Sequence, residues 1–201
     1  LEELIAKSFD SHYIALVQGH RQTNTLLLEE RYDVIFFTGS PELGRRVMRS
    51  AATNLCPVIL ELGGKSPVVV DRDADVELAA RRIAWGKTLN SGQTCIAPDY
   101  LLLHREVKDR FVEAFGRAVR ELHGEDVRQS PHYVRMVSER AFERVAGYLK
   151  DGEVLFGGAT NAEERYIEPT LLDEVAVDSP VMSDEIFGPI LPIITIDSLD
   201  K

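Results

Sequence analysis

Four short segments of the chain hold residue types that could bind or transform a small molecule. Gly92-Gln-Thr-Cys95 sets a thiol just after a Ser91-Gly92 break and shortly before Pro98. A thiol nucleophile needs access and a stabilised thiolate, which a loop beside backbone dipoles can supply. The competing reading is that a lone cysteine is a small core residue. Leu60-Glu61-Leu62-Gly63-Gly64-Lys65 ends an apolar run on a carboxylate. Half-buried, with a raised pKa, Glu61 could act as a general base, or it could simply pair with Lys65 or a neighbouring arginine. Gly39-Ser-Pro-Glu-Leu-Gly44 falls where a strand gives way to a helix, and the positive helix end there can hold an anion. It lacks the middle glycine of the dinucleotide fingerprint. Arg45-Arg46 stand where a phosphate loop needs Lys-Ser/Thr, so a plain strand-to-helix turn also explains it. In Asp184-Glu185-Ile-Phe187-Gly188-Pro189 an acid and an aromatic could clamp a flat polar ligand, or cap a turn.

Other candidates carry less. Cys56 lies at a helix-strand junction beside Pro57 and reads as structural. His12, His20, His104, His123 and His132 have no metal-ligand spacing, and none fits a hydrolase triad. No metal is expected.

The elements that must position these segments alternate. Tyr13–Val17 reads as a buried strand, Arg21–Arg31 as a helix, and Val34–Phe37 as a second buried strand. Ser40-Pro41-Glu42 is a helix start, with a capping hydroxyl, proline at the first helical position and an acid in the first turn. That helix should run to about Thr53. Val58–Leu60 and Pro67–Val70 are strands, and Asp75–Leu89 a helix with Val76, Ala80, Ile83 and Ala84 on one face. Tyr100–Leu103 is a strand. Val107, Phe111, Phe115, Ala118 and Leu122 then mark a strongly amphipathic helix. Ser138–Lys150 is a further helix, and Val154–Phe156 and Ile190–Ile196 are strand-like. The order predicts an α/β fold with a parallel sheet flanked by helices. The rhythm loosens after residues 60–75, where a domain change without a linker is expected.

Composition narrows the partners. The chain has 201 residues, 44% apolar and 28% charged, an ordinary globular composition. Its net charge of −10 argues against a nucleic acid or an anionic membrane surface. Two cysteines make no disulfide scaffold. The most apolar run, Ile186 to Ile196, is cut by Pro189 and Pro192 and cannot span a bilayer. The chain opens on Leu1-Glu2-Glu3, where no signal peptide is expected, and is expected to be an internal piece of a longer protein.

In this order the motifs are specific. Phe36-Phe-Thr-Gly-Ser40, Leu60-Glu-Leu-Gly-Gly-Lys65, Gly92-Gln-Thr-Cys95 and Glu185-Ile-Phe-Gly-Pro189 resemble the aldehyde dehydrogenase superfamily. Ser91–Tyr100 and Ser179-Pro-Val-Met182 resemble its class 3 branch of fatty and aromatic aldehyde dehydrogenases. The resemblance implies an incomplete aldehyde dehydrogenase fold. Residues 1–62 would be the second half of an atypical Rossmann-like NAD(P)-binding domain, and 63–201 a thiol-bearing α/β catalytic domain cut short at its end.

By the same resemblance, Cys95 is the nucleophile that forms a thiohemiacetal and then a thioester, its oxyanion held partly by its own N–H. Glu61 activates the water that releases the acid. Gly39, Ser40 and Gly44 approach the cofactor, Glu185 holds the nicotinamide ribose, Phe187 packs on the nicotinamide ring, and the Leu62 backbone meets its carboxamide. The cofactor is NAD or NADP and the partner a small-molecule aldehyde. The parent would be an intracellular, cytoplasmic homodimer, and a membrane anchor elsewhere in it is compatible with the resemblance.

An asparagine and a lysine that serve the family's oxyanion hole and cofactor ribose would lie before Leu1. Two alternatives stand beside this reading. A CoA-acylating dehydrogenase would pass the thioester to CoA, but that branch typically lacks a carboxylate at the place of Glu61. A fragment without the upstream residues would be non-catalytic.

Overall fold

Residues 1–199 are described by the computed structural model, which divides into two units, Leu1–Gly63 and Gly64–Lys201. In the first unit, helix α1 (Glu2–Ser8) and helix α2 (Arg21–Leu27) precede a single β-α-β turn. Strand β1 (Ile35–Thr38), helix α3 (Pro41–Thr53) and strand β2 (Val58–Glu61) form it, and β1 lies parallel to β2 with Thr38 opposite Glu61. Helix α3 starts where its sequence says it should. Ser40 is the N-cap and its Oγ accepts from the Leu43 N–H at 3.4 Å, with Pro41 at the first position.

Several expectations fail in this unit. Tyr13–Val17 forms no strand, and Tyr13 is 88% exposed. An apolar run becomes a strand only where a ladder partner is on hand, and the two strands of this unit pair with each other. The second strand exists but is not buried, since Phe36 is 65% exposed. Helix α2 also stops at Leu27, short of Arg31.

The second unit holds a five-stranded sheet. Its elements are strand β3 (Pro67–Val70), helix α4 (Val76–Thr88), strand β4 (Tyr100–His104), helix α5 (Lys108–His123), helix α6 (Glu139–Gly147), strand β5 (Glu153–Phe156), strands β6 (Thr160–Asn161) and β7 (Tyr166–Ile167), strand β8 (Thr170–Asp173), helix α7 (Pro180–Ser183) and strand β9 (Ile190–Ile196). The order across the sheet is β3-β4-β9-β8-β5. The first four strands are parallel, while β5 runs antiparallel to β8. The expectation of a parallel sheet is therefore corrected at its edge, where mixed α/β sheets commonly carry a reversed strand. Pro192 lies inside β9 at a changeover: β8 pairs with residues 190–192, and β4 takes over from Ile193. The predicted helix over Ser138–Lys150 ends its α-helical part at Gly147 and finishes as a 3₁₀ turn. No helix among the described residues is long and apolar enough to cross a membrane.

The core belongs to this second unit. Helix α4 buries Val76, Ala80, Ile83 and Ala84, the face its periodicity marks. Helix α5 buries Phe111, Phe115 and Ala118 on the same cluster, with Leu101, Leu103, Leu191 and Ile193 from the sheet. A second cluster gathers Phe142, Val145, Leu172, Val181, Ile186 and Ile190 beneath the segment that carries Glu185. Among the described residues of the first unit, Val47 and Ala51 are the buried apolar side chains.

That asymmetry sets local stability. Opening a segment costs little where little apolar surface is buried. In hydrogen exchange on the 201-residue chain, the amides of β1, β2 and α3 should exchange at least about a hundredfold faster than those of β4 and β9. Equal protection in the two sets would refute this.

Candidate active site

Cys95 is exposed, on the loop between α4 and β4. The loop is strained and heavily tied. Asn90, Ser91 and Gly92 stand in the left-handed region, with φ of 50°, 53° and 71°. Each non-glycine residue there costs roughly 1–2 kcal/mol, so the surroundings must impose the conformation. The Ser91 hydroxyl donates to Val134 O at 2.5 Å. The Gln93 amide donates to Asn90 O at 3.0 Å and to Arg135 O at 3.2 Å, and its Oε1 accepts from the Val137 N–H at 2.9 Å. Asn90 Nδ2 donates back to Gln93 O at 3.0 Å. Ser91 and Gln93 are thus buried and committed, while the thiol stays accessible. Among the described residues no acceptor engages the Cys95 N–H.

The same loop meets the Glu185–Pro189 segment. A Cβ on Gly92 would lie 2.3 Å from Gly188 O, so only glycine lets the two backbones approach this closely. Phe187 has φ of 48°, unusual for an aromatic, and its side chain is part-exposed. Glu185 Oε1 is buried with no hydrogen-bond partner. Burial pushes the Glu185 carboxyl above the usual glutamate range, and the Gly64 N–H offsets this only in part. A buried acceptor without a donor is rare, and it fits a group that receives a ligand hydroxyl.

In the first unit the predicted residues gather at the β1–α3 turn and the end of β2. The Gly39 N–H donates to Glu61 O at 3.0 Å, which sets the turn beside the strand end. Ser40 caps α3. Glu61 is exposed and not half-buried as expected, because it is the last residue of a two-stranded edge. Lys65, its anticipated partner, pairs with Asp99. Gly44 is buried, and a Cβ there would stand 2.8 Å from Leu62 Cδ2 and 3.6 Å from Leu60 Cδ1. Its missing Cβ therefore lets α3 seat on β2. Leu62 supplies that packing surface. Cys56 is half-buried, and its thiol donates to Pro57 O at 3.4 Å.

Sequence reasoning missed two buried charges beside the thiol loop. Lys87 is 0% exposed and donates to Pro98 O at 2.7 Å. Burial pushes its pKa down to about 8, with Asp99 and Glu185 pulling the other way and Lys65 pushing further down. Its place was readable, since Lys87 follows Ile83 by four and Ala84 by three on the buried face of α4. Asp99 gave no such signal.

A model of the aldehyde dehydrogenase family matches residues 1–201. The chain is 46% identical to 4,4'-diaponeurosporen-aldehyde dehydrogenase of Staphylococcus aureus (strain NCTC 8325 / PS 47), over all of this chain and 44% of that protein. It is also 46% identical to the dimeric NADP-preferring aldehyde dehydrogenase of Rattus norvegicus, again over all of this chain and 44% of the relative. A solved structure of Staphylococcus aureus AldH in a substrate-bound state superposes with a TM-score of 0.92 at 46% identity, covering 99% of this chain and 44% of that one. An indole-3-acetaldehyde dehydrogenase complexed with NAD+ gives a TM-score of 0.77 at 31% identity, covering 88% of this chain and 38% of that one. The chain thus spans less than half the length of these relatives, and its α/β architecture is theirs.

Proposed function

The chain belongs to the aldehyde dehydrogenase family, and from that premise we propose that it carries the nucleophile, the base and cofactor-binding loops of an enzyme that oxidises an aldehyde to a carboxylic acid with NAD or NADP. One observation carries the reading. An accessible thiol sits on a loop whose Ser91 and Gln93 are buried and hydrogen-bonded, and that loop touches, backbone to backbone, a segment whose Glu185 keeps one buried carboxylate oxygen without a partner.

The residues present fit a nicotinamide cofactor. Glu185 offers an acceptor that lacks a donor, suited to a ribose hydroxyl, and Phe187 offers a part-exposed ring for a flat heterocycle. Ser40 at the head of α3, with the Gly39 turn before it, suits a phosphate. Gly44 contributes by seating that helix, and Leu62 by receiving it. When bound, the cofactor supplies the acceptor for the electron pair and hydrogen that leave the aldehyde carbon.

The chain's own chemistry follows. The Cys95 thiolate adds to the aldehyde carbon, and the carbonyl oxygen becomes an oxyanion. The Cys95 N–H has no other acceptor among the described residues and donates to that oxygen. Loss of the carbon-bound hydrogen as hydride leaves an acyl group on sulfur. Glu61, exposed at the end of β2, takes a proton from water as the water attacks the thioester, and the acid departs with the thiol restored.

The test is cofactor reduction by the full-length protein with saturated aliphatic and aromatic aldehydes, NAD and NADP each being tried. Reduction with stoichiometric acid, without added CoA, is expected. No reduction with any aldehyde, or acyl-CoA as the sole product, would overturn the proposal.

A further inference from the structure

An ion pair beside the thiol loop, with a buried Asp99 and a part-buried Lys65, is left unused by the roles above. Asp99, four residues after Cys95, is 2% exposed. Its N–H donates to Ser66 O at 2.9 Å. Its Oδ2 accepts from the Lys65 ammonium at 2.7 Å, and its Oδ1 accepts from the Ile186 N–H at 3.0 Å. Lys65 also donates to Val181 O at 2.8 Å and Asp184 O at 3.1 Å, so all three of its protons have acceptors. Three of these bonds end on residues 181–186, the stretch that delivers Glu185 and Phe187. Arg144 closes the same stretch from another helix, donating to Ile186 O at 2.8 Å and Glu185 O at 3.4 Å. With Gly92 against Gly188 O, the thiol loop and the 184–188 segment are fastened at both ends.

We propose that Lys65 and Asp99 are positioning residues that hold the 184–188 segment in register with the Cys95 loop, so that Glu185 and Phe187 meet the nicotinamide ribose and ring in one fixed geometry. The proposal rests on the aldehyde dehydrogenase reading above. A well-packed apolar pair of similar volume would serve stability as well as a buried ion pair does. It would not set register, because only directional bonds to Val181 O, Asp184 O and Ile186 N–H tie the backbone at chosen points. The ties reach main-chain atoms only. They leave the Glu185 carboxylate and the Phe187 ring available for a ligand.

The experiment uses the full-length enzyme with Asp99→Asn, Asp99→Ala, Lys65→Met and the double variant Asp99→Asn/Lys65→Met. Asp99→Asn keeps the shape and the acceptor for Ile186 but loses the charge that Lys65 needs. The dissociation constant for NAD(P), read by titration of protein fluorescence, should rise about tenfold in Asp99→Asn, the scale of one charge-assisted hydrogen bond. It should rise further in Asp99→Ala, while the KM for aldehyde changes by less than about threefold. The double variant should bind cofactor no worse than its weaker parent, since the two residues act as one device. Hydrogen exchange supplies a readout without turnover: the Ile186 amide should lose protection in Asp99→Ala, while the Val137 amide, held by Gln93, keeps its own. If the wild type neither binds NAD(P) nor oxidises aldehydes, the underlying reading fails. If the wild type does both and the variants keep its cofactor affinity, losing only melting temperature, the pair is merely structural and this proposal is overturned.

Discussion

Cys95→Ala in the full-length enzyme should lower kcat/KM for aldehyde oxidation by about 10⁴-fold or more, the scale of deleting a covalent nucleophile. Cys56→Ala should retain most of the activity. The two thiols differ in setting as well as in sequence. Cys95 is exposed on a loop whose neighbours Ser91 and Gln93 are buried and bonded to the 134–137 segment. Cys56 is half-buried, with its thiol on Pro57 O. A loop held this firmly keeps the thiol in one place without spending its hydrogen-bonding groups on the thiol itself. Alkylation should follow the same order, Cys95 reacting with iodoacetamide first and cofactor-dependent activity falling in step. Wild-type turnover in Cys95→Ala, or loss of activity that tracks Cys56 alkylation, would remove Cys95 from the mechanism.

Much of the fold that presents this thiol was legible. The Ser40-Pro41 start of α3, the buried face of α4 and the stripe Phe111-Phe115-Ala118 on α5 are local signals, and tertiary packing agreed with each. Strand pairing is not a local property, and there the sequence misled. Tyr13–Val17 has the composition of a strand but no ladder to join. Thr170–Asp173, which became β8 in the middle of the sheet, has too short an apolar stretch to announce itself. The reversal of β5 depends on which strand it lies beside, and nothing in Glu153–Phe156 encodes that.

The site divides along the same line. The residues proposed to react were readable as candidates because they sit in or beside glycine-bearing turns with uncommon side chains. Their supports were not, because Gln93, Ser91 and Asp99 act through backbone atoms of residues 42–44, 43 and 87 positions away. Long-range bonds of this kind leave no trace in spacing. Glu61 shows the converse limit. An acid ending an apolar strand reads as half-buried when the sheet continues on both sides, yet this strand ends a two-stranded sheet and the carboxylate is exposed.

Glu61→Gln is the second large effect, and it separates the water-dependent reaction from CoA acylation. Glutamine keeps the shape and one acceptor oxygen of glutamate but takes no proton at neutral pH. If Glu61 is the base for thioester hydrolysis, that step should slow by about 10²–10⁴-fold, the usual range for general-base assistance. Addition of the thiol and loss of hydride do not need that base, so the first turnover should proceed. Rapid mixing of the variant with aldehyde and cofactor should give a burst of reduced cofactor, stoichiometric with enzyme, followed by a slow steady rate. The acyl group should be trapped on Cys95, where a mass shift after acid quench would locate it. Added CoA should leave the slow phase unchanged. Full turnover restored by CoA would show that the thioester is built for a thiol acceptor, and the hydrolytic reading would fall. A burst lost together with the steady rate would place Glu61 earlier, in making the Cys95 thiolate, and its assignment as the deacylation base alone would be withdrawn.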